Sequence, residues 1–377
     1  MNSALAEELL GRRLIVCAGG GGVGKTTLSA ALALFLARRG RRVLVVTIDP
    51  ARRLAEALGV APEGNRIVEA TRTSAGGVLE AMMLDCRLTF DESLARHARS
   101  KEEFERVRTS HLYEHVATAL SRTHEYMALE KLHELHHDGT YDHIVLDTPP
   151  TRDALGFLDA PQRMLDFCNE RIFRWFVPED EGSRLLRFGR ERALWLLGRV
   201  VDQGNLGPIA EFLGALAGLF GGFRERVRDV QATLRQDGTT FILIASPGRS
   251  SMHEALYFGR KMRDYGLRHR HLLVNRVFDY PFSERPLPPL EALFSQTLGL
   301  GAARAGRLIT ACEKTHQRLA DLARRDAEQL AALASALPDT MQLTSIPQLD
   351  LEPVELDAVG TLTDFLFGTI PGPGEEP

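Results

Sequence analysis

Ala18-Gly19-Gly20-Gly21-Gly22-Val23-Gly24-Lys25-Thr26-Thr27 lies between an apolar run, Leu14 to Cys17, and an apolar-periodic segment, Leu28 to Ala37. That order reads as strand, glycine loop, helix. Glycine lets consecutive backbone N–H groups turn toward an anion with no Cβ in the way, and the helix that follows adds its positive end. The stretch fits G-x-x-x-x-G-K-[ST] from Gly19. The cradle is therefore Gly21, Gly22, Val23 and Gly24, with Lys25 on the β/γ-phosphates, the Thr26 hydroxyl on Mg²⁺ and Thr27 beside the α-phosphate. Only five of the 46 basic residues are lysines, and one of the five falls at this position.

Moving outward, short apolar runs recur at Val43 to Ile48, Leu79 to Leu84, His143 to Leu146, Phe241 to Ala245 and Leu272 to Val274, with a weaker one at Met341 to Ile346. Continuous β-branched runs without alternation suit strands buried on both faces, and helical segments separate nearly all of them. The expected fold is α/β, a doubly wound, mostly parallel sheet of the P-loop NTPase kind with a helical insertion. In such sheets ligands bind at the carboxyl ends of the strands, which selects Gly19 to Thr27, Asp49, Asp147 and Asn275. Residues 1–151 are expected to form the first part of the core, including a charged helical stretch from Asp91 to Asp138. Residues 152–236 form a helical insertion, 237–367 the second part of the core and 368–377 a disordered tail. Leu290 to Leu337, rich in alanine and leucine, reads as two or more helices packing on the sheet.

A net charge of −4 and the lack of any Lys/Arg-rich run exclude nucleic acid as the main partner. Cys17, Cys86, Cys168 and Cys312 are widely spaced and read as reduced, cytosolic thiols. The first ten residues carry two glutamates and lack the basic, apolar pattern of a signal peptide, so a cytoplasmic location is expected. No stretch has the ~18 consecutive apolar residues of an integral membrane span.

Two carboxylates follow strands. Asp49, in Thr47-Ile48-Asp49-Pro50-Ala51-Arg52-Arg53, can face the γ-phosphate and orient or deprotonate water; a plain helix N-cap is the alternative. Asp147 opens Asp147-Thr148-Pro149-Pro150-Thr151, the Walker B arrangement that holds Mg²⁺ through water, followed by a stiff loop suited to a nucleotide-sensing switch. Lys25, Asp49 and Asp147 are the candidate catalytic residues, and Thr26, Asp49 and Asp147 the candidate metal ligands. His133, His136 and His137 are read as the dipole-favoured end of a helix rather than as metal ligands. Phe212, Leu213, Leu216, Leu219, Phe220 and Phe223 recur at helical spacing and serve as core or as an exposed client surface.

These motifs, in this order, resemble the ArsA/Get ATPases, a deviant Walker A family that includes the arsenite pump ATPase and the tail-anchored-protein targeting ATPase. Gly21 to Thr27 resembles the family's P-loop, Asp49-Pro50-Ala51 its switch I and Asp147 to Thr151 its switch II. Glu125-Tyr126-Met127-Ala128 with Lys131 is similar to the family's helix leading into the switch II strand. The resemblance implies that Asn275, in Leu272-Leu273-Val274-Asn275-Arg276, reads adenine and that Pro347-Gln348-Leu349-Asp350 lies beside it. It also implies ATP and Mg²⁺ as cofactors, a dimer, and a hydrophobic protein client for the insertion. Two departures stand out. Gly20 occupies the position of the family's signature lysine, which reaches the facing subunit's nucleotide, so the dimer is either a slow homodimer or a heterodimer with a lysine-bearing paralogue unless Arg52 or Arg53 substitutes. The family's arsenite cysteines and zinc C-x-x-C pair have no counterpart. A weakly hydrolysing nucleotide sensor and a ParA/MinD-like positioning ATPase are the competing readings.

Overall fold

The computed structural model describes residues 2–49, 53–97, 100–109, 124–149, 223–281, 284, 287, 288, 290–294, 298–349 and 356–368. Element order is α1 (Ser3–Leu10), β1 (Leu14–Gly19), α2 (Lys25–Arg38), β2 (Arg42–Thr47), α3 (Arg53–Leu58), β3 (Val68–Arg72), β4 (Val78–Met83), α4 (Cys86–His97) and α5 (Lys101–Arg108). There follow α6 (His124–Asp138), β5 (His143–Asp147), α7 (Phe223–Arg235), β6 (Thr239–Ala245), α8 (Arg249–Asp264), β7 (His271–Val277), α9 (Ala302–Ala336), β8 (Gln342–Pro347) and α10 (Leu356–Phe367).

The eight strands form one sheet in the order β3-β4-β2-β5-β1-β6-β7-β8, parallel throughout except for β3 against β4. Alternate residues feed two separate cores, as the period of a strand requires. Leu14, Val16, Leu44, Leu146 and Leu243 face α4, α6, α7 and α8. Ile15, Val43, Val45, Val145 and Ile242 face α1, α2, α3 and α10. A sheet covered on both faces is the doubly wound arrangement that the unbroken apolar runs imply.

Helix α2 carries the P-loop on its N-terminus and is buried almost all round. Its Ala/Leu composition allows close packing against α3 and α10, and Phe35 stacks on Phe367 with ring centroids 3.9 Å apart. The phosphate-loop helix is thus held rigid by the core, which a cradle with fixed N–H directions needs.

Strand β3 is absent from the sequence reading. Val68-Glu69-Ala70-Thr71-Arg72 is an edge strand with little apolar content, turned back onto β4 through a loop in which the Thr73 N–H donates to the Gly77 carbonyl at 2.9 Å. The Leu290–Leu337 segment is helical as expected: among the described residues it holds a three-residue helix, Leu290–Ala292, and one 35-residue helix, α9. Its buried residues lie mostly in the second half, where Leu333 joins the core with Leu330 beside it. The expected insertion, 152–236, lies largely outside the described residues; its last part, α7, packs Val230 and Leu234 into the core on α6 and β6. The stripe from Phe212 to Phe220 and the 369–377 tail also lie outside the described residues.

Away from the P-loop, Glu8 on α1 fastens the start of β7. Arg268 donates to its two carboxylate oxygens at 2.7 and 3.0 Å and Arg12 donates at 3.2 Å. Burial pushes the Glu8 carboxyl up, but the hydrogen bonds from Arg268 and Arg12 and the Arg12 charge overcome it and hold the pKa at about 2, below the ordinary 4.5. A depressed carboxylate contributes stability that is complete above its unfolded pKa and is lost as pH falls through the folded one. Glu8→Gln is therefore expected to cost roughly 2–3 kcal/mol at pH 7. Denaturant unfolding of parent and variant should show that gap closing as pH falls from 4.5 toward 2.

Candidate functional site

The P-loop leaves β1 at Gly19 and enters α2 at Lys25. Gly21 and Gly22 are exposed, Gly24 and Thr27 half-buried, and Val23, Lys25 and Thr26 buried. Gly24 caps the helix in the left-handed region at φ 86°, and a Cβ there would lie 2.3 Å from Asn275 Nδ2. Only glycine satisfies both conditions.

Strands β1, β2 and β5 are neighbours, so the residues at their carboxyl ends converge. Thr26 Oγ1 donates to Asp147 Oδ2 at 2.7 Å, and Thr47 Oγ1 donates to the same oxygen at 3.1 Å. Lys25 Nζ stands 3.9 Å from Asp147 Oδ1. Asp147 is fully buried, and burial pushes its carboxyl above the usual range; Lys25, Thr26 and Thr47 pull it back and Asp49 adds to the rise. Its Oδ1 has no hydrogen-bond partner. A buried carboxylate oxygen short of donors, flanked by a threonine hydroxyl and a second carboxylate, fits a hydrated divalent cation. The residues that would hold Mg²⁺ are therefore Thr26, Asp147 and Asp49.

Asp49 joins the cluster through Thr47, whose hydroxyl accepts from the Asp49 N–H at 3.2 Å while donating to Asp147. Arg53 Nη1 lies 3.5 Å from Asp49 Oδ2, so Arg53 is turned toward its own chain's carboxylate; Pro50, Ala51 and Arg52 lie outside the described residues. Thr148 is buried and donates through Oγ1 to the Cys17 carbonyl at 2.8 Å, tying the start of the expected switch II to β1; Pro150 and Thr151 lie outside the description.

On the other side, Asn275 Nδ2 donates to the Val23 carbonyl at 2.9 Å and Arg276 Nη1 to the Gly22 carbonyl at 3.1 Å. Pro347 ends β8 opposite Val277, just past this pair. Thr47 and Arg276 were missed from the sequence. The signal for Thr47 was a hydroxyl on the last residue of a strand beside the P-loop strand; Arg276 had none, because its placement depends on an irregular strand end.

Elsewhere, the His137 ring Nδ1 meets the His133 carbonyl at 3.0 Å, and no group of three or more His, Cys, Asp or Glu among the described residues could hold a metal. Burial pushes Cys17 and Cys86 up to about 12, as unreactive thiols. A groove lined by Ala255, Gly259, Arg260, Arg263, His269 and Met341 opens at the opposite ends of the strands and shares no residue with this cluster. No described helix is long and apolar enough to cross a membrane.

A glycine loop on a rigid helix, with its lysine and threonine meeting a buried Asp from the adjacent strand, is the arrangement of the P-loop NTPase fold. Residues 12–178, a little under half of the chain, match the family model described as anion-transporting ATPase. A putative arsenical pump-driving ATPase 1 from Aquifex aeolicus is 27% identical over 256 residues, 65% of this chain and 59% of that protein. Protein Rv2184c of Mycobacterium tuberculosis is 29% identical over 313 residues, 78% and 66% of the two chains. An ATPase get3 of Neurospora crassa is 25% identical over 275 residues, 72% and 75%. The match covers less than two thirds of the length of the Aquifex and Mycobacterium relatives.

Proposed function

We propose that this chain binds and hydrolyses MgATP and uses the nucleotide state to move a switch. The observation that carries this is the buried Lys25–Thr26–Thr47–Asp147 cluster, in which Asp147 Oδ1, 3.9 Å from the Lys25 ammonium and without a hydrogen bond, fits a cation beside the phosphate cradle. Mg²⁺, when bound with the nucleotide, neutralises phosphate charge. Lys25 holds the phosphates, Asp49 orients water, and Thr47 couples the two carboxylates so that a shift at one is felt at the other. Asn275 has its amide donor on Val23, which leaves its carbonyl to accept from an adenine amine; guanine offers a carbonyl at that position, so ATP is favoured over GTP.

The working unit is read as a cytoplasmic dimer, a homodimer or a pair with a lysine-bearing paralogue, in which 152–236 meets a hydrophobic client or partner. This reading is supported by the relatives' kind and by the Phe212–Phe223 stripe of the sequence. The second reading, a weakly hydrolysing nucleotide-sensing subunit, is favoured by Gly20.

Calorimetric titration with MgATP and steady-state phosphate release test the proposal. The parent is expected to bind saturably and hydrolyse, whereas Lys25→Ala should lose tight binding. Indistinguishable parent and Lys25→Ala titrations would overturn it.

A further inference from the structure

The last residues of β7 do more than end a strand. Pairing with β8 shifts register between Val274 and Val277, and within that irregularity Arg276 takes φ 62°, the only positive φ of a non-glycine among the described residues. Arginine is disfavoured there, and strain of this kind persists where the surroundings enforce it. The effect is to let two consecutive side chains reach two consecutive carbonyls of the P-loop: Asn275 to Val23 and Arg276 to Gly22.

A trans peptide is planar, with its C=O and N–H pointing in opposite directions. The Gly22 carbonyl shares a peptide with the Val23 N–H, and the Val23 carbonyl shares one with the Gly24 N–H. Fastening both carbonyls on the β7 side therefore turns both N–H groups the other way, as an anion cradle requires. A donor that carries full positive charge also polarises the peptide it binds, so the Val23 N–H becomes the stronger donor. Gly22 and Gly24, at φ 76° and 86°, give the loop the freedom to accept this hold.

We propose that Arg276 is a positioning residue for the phosphate cradle: its charge, applied through the Gly22–Val23 peptide, sets the direction and strength of the N–H groups that receive a nucleoside triphosphate. The inference rests on the nucleotide-binding reading above and deepens it by assigning part of the triphosphate affinity to a residue outside the P-loop. Asn275 performs the neutral half of the same task.

The backbone geometry supplies a discriminating test. Arg276→Gly suits φ 62° and removes the charge, Arg276→Gln keeps the strain without the charge, and Arg276→Lys keeps both strain and charge. Each is titrated calorimetrically with Mg-ATPγS and melted without nucleotide. Arg276→Gly and Arg276→Gln are expected to bind about tenfold more weakly than the parent, and Arg276→Lys within about threefold. The nucleotide-free melting temperature of Arg276→Gly should equal or exceed the parent's, so that affinity and stability move apart. An Arg276→Gly chain within about twofold of the parent, or Arg276→Gln binding as well as Arg276→Lys, would overturn this inference while leaving the ATPase reading intact. A parent with no saturable Mg-ATPγS binding would overturn both.

Discussion

Asp49→Asn is expected to retain MgATP binding, its amide oxygen still a neutral donor toward Mg²⁺, and to turn it over ~10²–10⁴-fold more slowly, the usual loss when a positioned water-activating group is removed. The substitution preserves size and hydrogen-bonding shape, and the contact that places the backbone, Asp49 N–H to Thr47 Oγ1, does not involve the carboxylate. What changes is charge. Asn lacks the anionic acceptor that draws a proton from water, and Arg53 loses its partner at 3.5 Å. A helix N-cap would behave differently, because asparagine caps about as well as aspartate. Single-turnover and steady-state phosphate release, alongside a binding titration, separate the two roles. Unchanged turnover with unchanged binding would return Asp49 to the capping role.

The strands that build the site were legible because their patterns are local and strong. Seven apolar runs became β1, β2 and β4 to β8; the inner strands are apolar because they are buried on both faces, and β8, the weakest run, is an edge strand that is mostly half-buried or exposed. The eighth, β3, is an edge whose pairing with β4 comes from the turn that joins them, not from its own residues. The length of α9 was hidden for a different reason: alanine-rich sequence favours helix throughout, while few of its 35 residues are buried, so its apolar pattern is weak.

Within the site, the P-loop, Asp49 and Asp147 were visible because each sits in a short contiguous motif. Thr47 stood in the quoted stretch, yet its bridging role appears only when β2 and β5 lie side by side and place two strand ends within hydrogen-bonding distance. Arg276 depends on a backbone angle and a register shift that no residue type announces. Glu254 belongs to a third class, a residue made relevant by space left open elsewhere. It lies on α8, across from the buried Gly20, where the sequence offers only the absence of a side chain.

That space shapes the second large effect. If the missing Gly20 lysine is a trans-acting cation in this chain's dimer, supplying it should raise turnover by ~10³–10⁵-fold, the range of a charge of the arginine-finger kind. Gly20→Lys alone is nevertheless expected to fall well short. A Cβ on residue 20 would lie 2.9 Å from Glu254 Oε2, 3.5 Å from Val23 Cγ1 and 4.0 Å from Ser251 Oγ. The first neighbour is the far end of a flexible side chain and can move aside, so the residue fits, but the new ammonium starts next to a carboxylate of its own subunit. An ion pair formed there turns the cation away from the partner's nucleotide. Gly20→Lys with Glu254→Gln removes the trap and should recover the larger gain, and a lysine-bearing paralogue mixed with the parent chain should stimulate without either change. Phosphate release from the parent, the single variant, the double variant and the mixture distinguishes these cases. A parent that is already fast alone, unaffected by the double substitution and by the paralogue, would mean that catalysis here does without a cation from a partner.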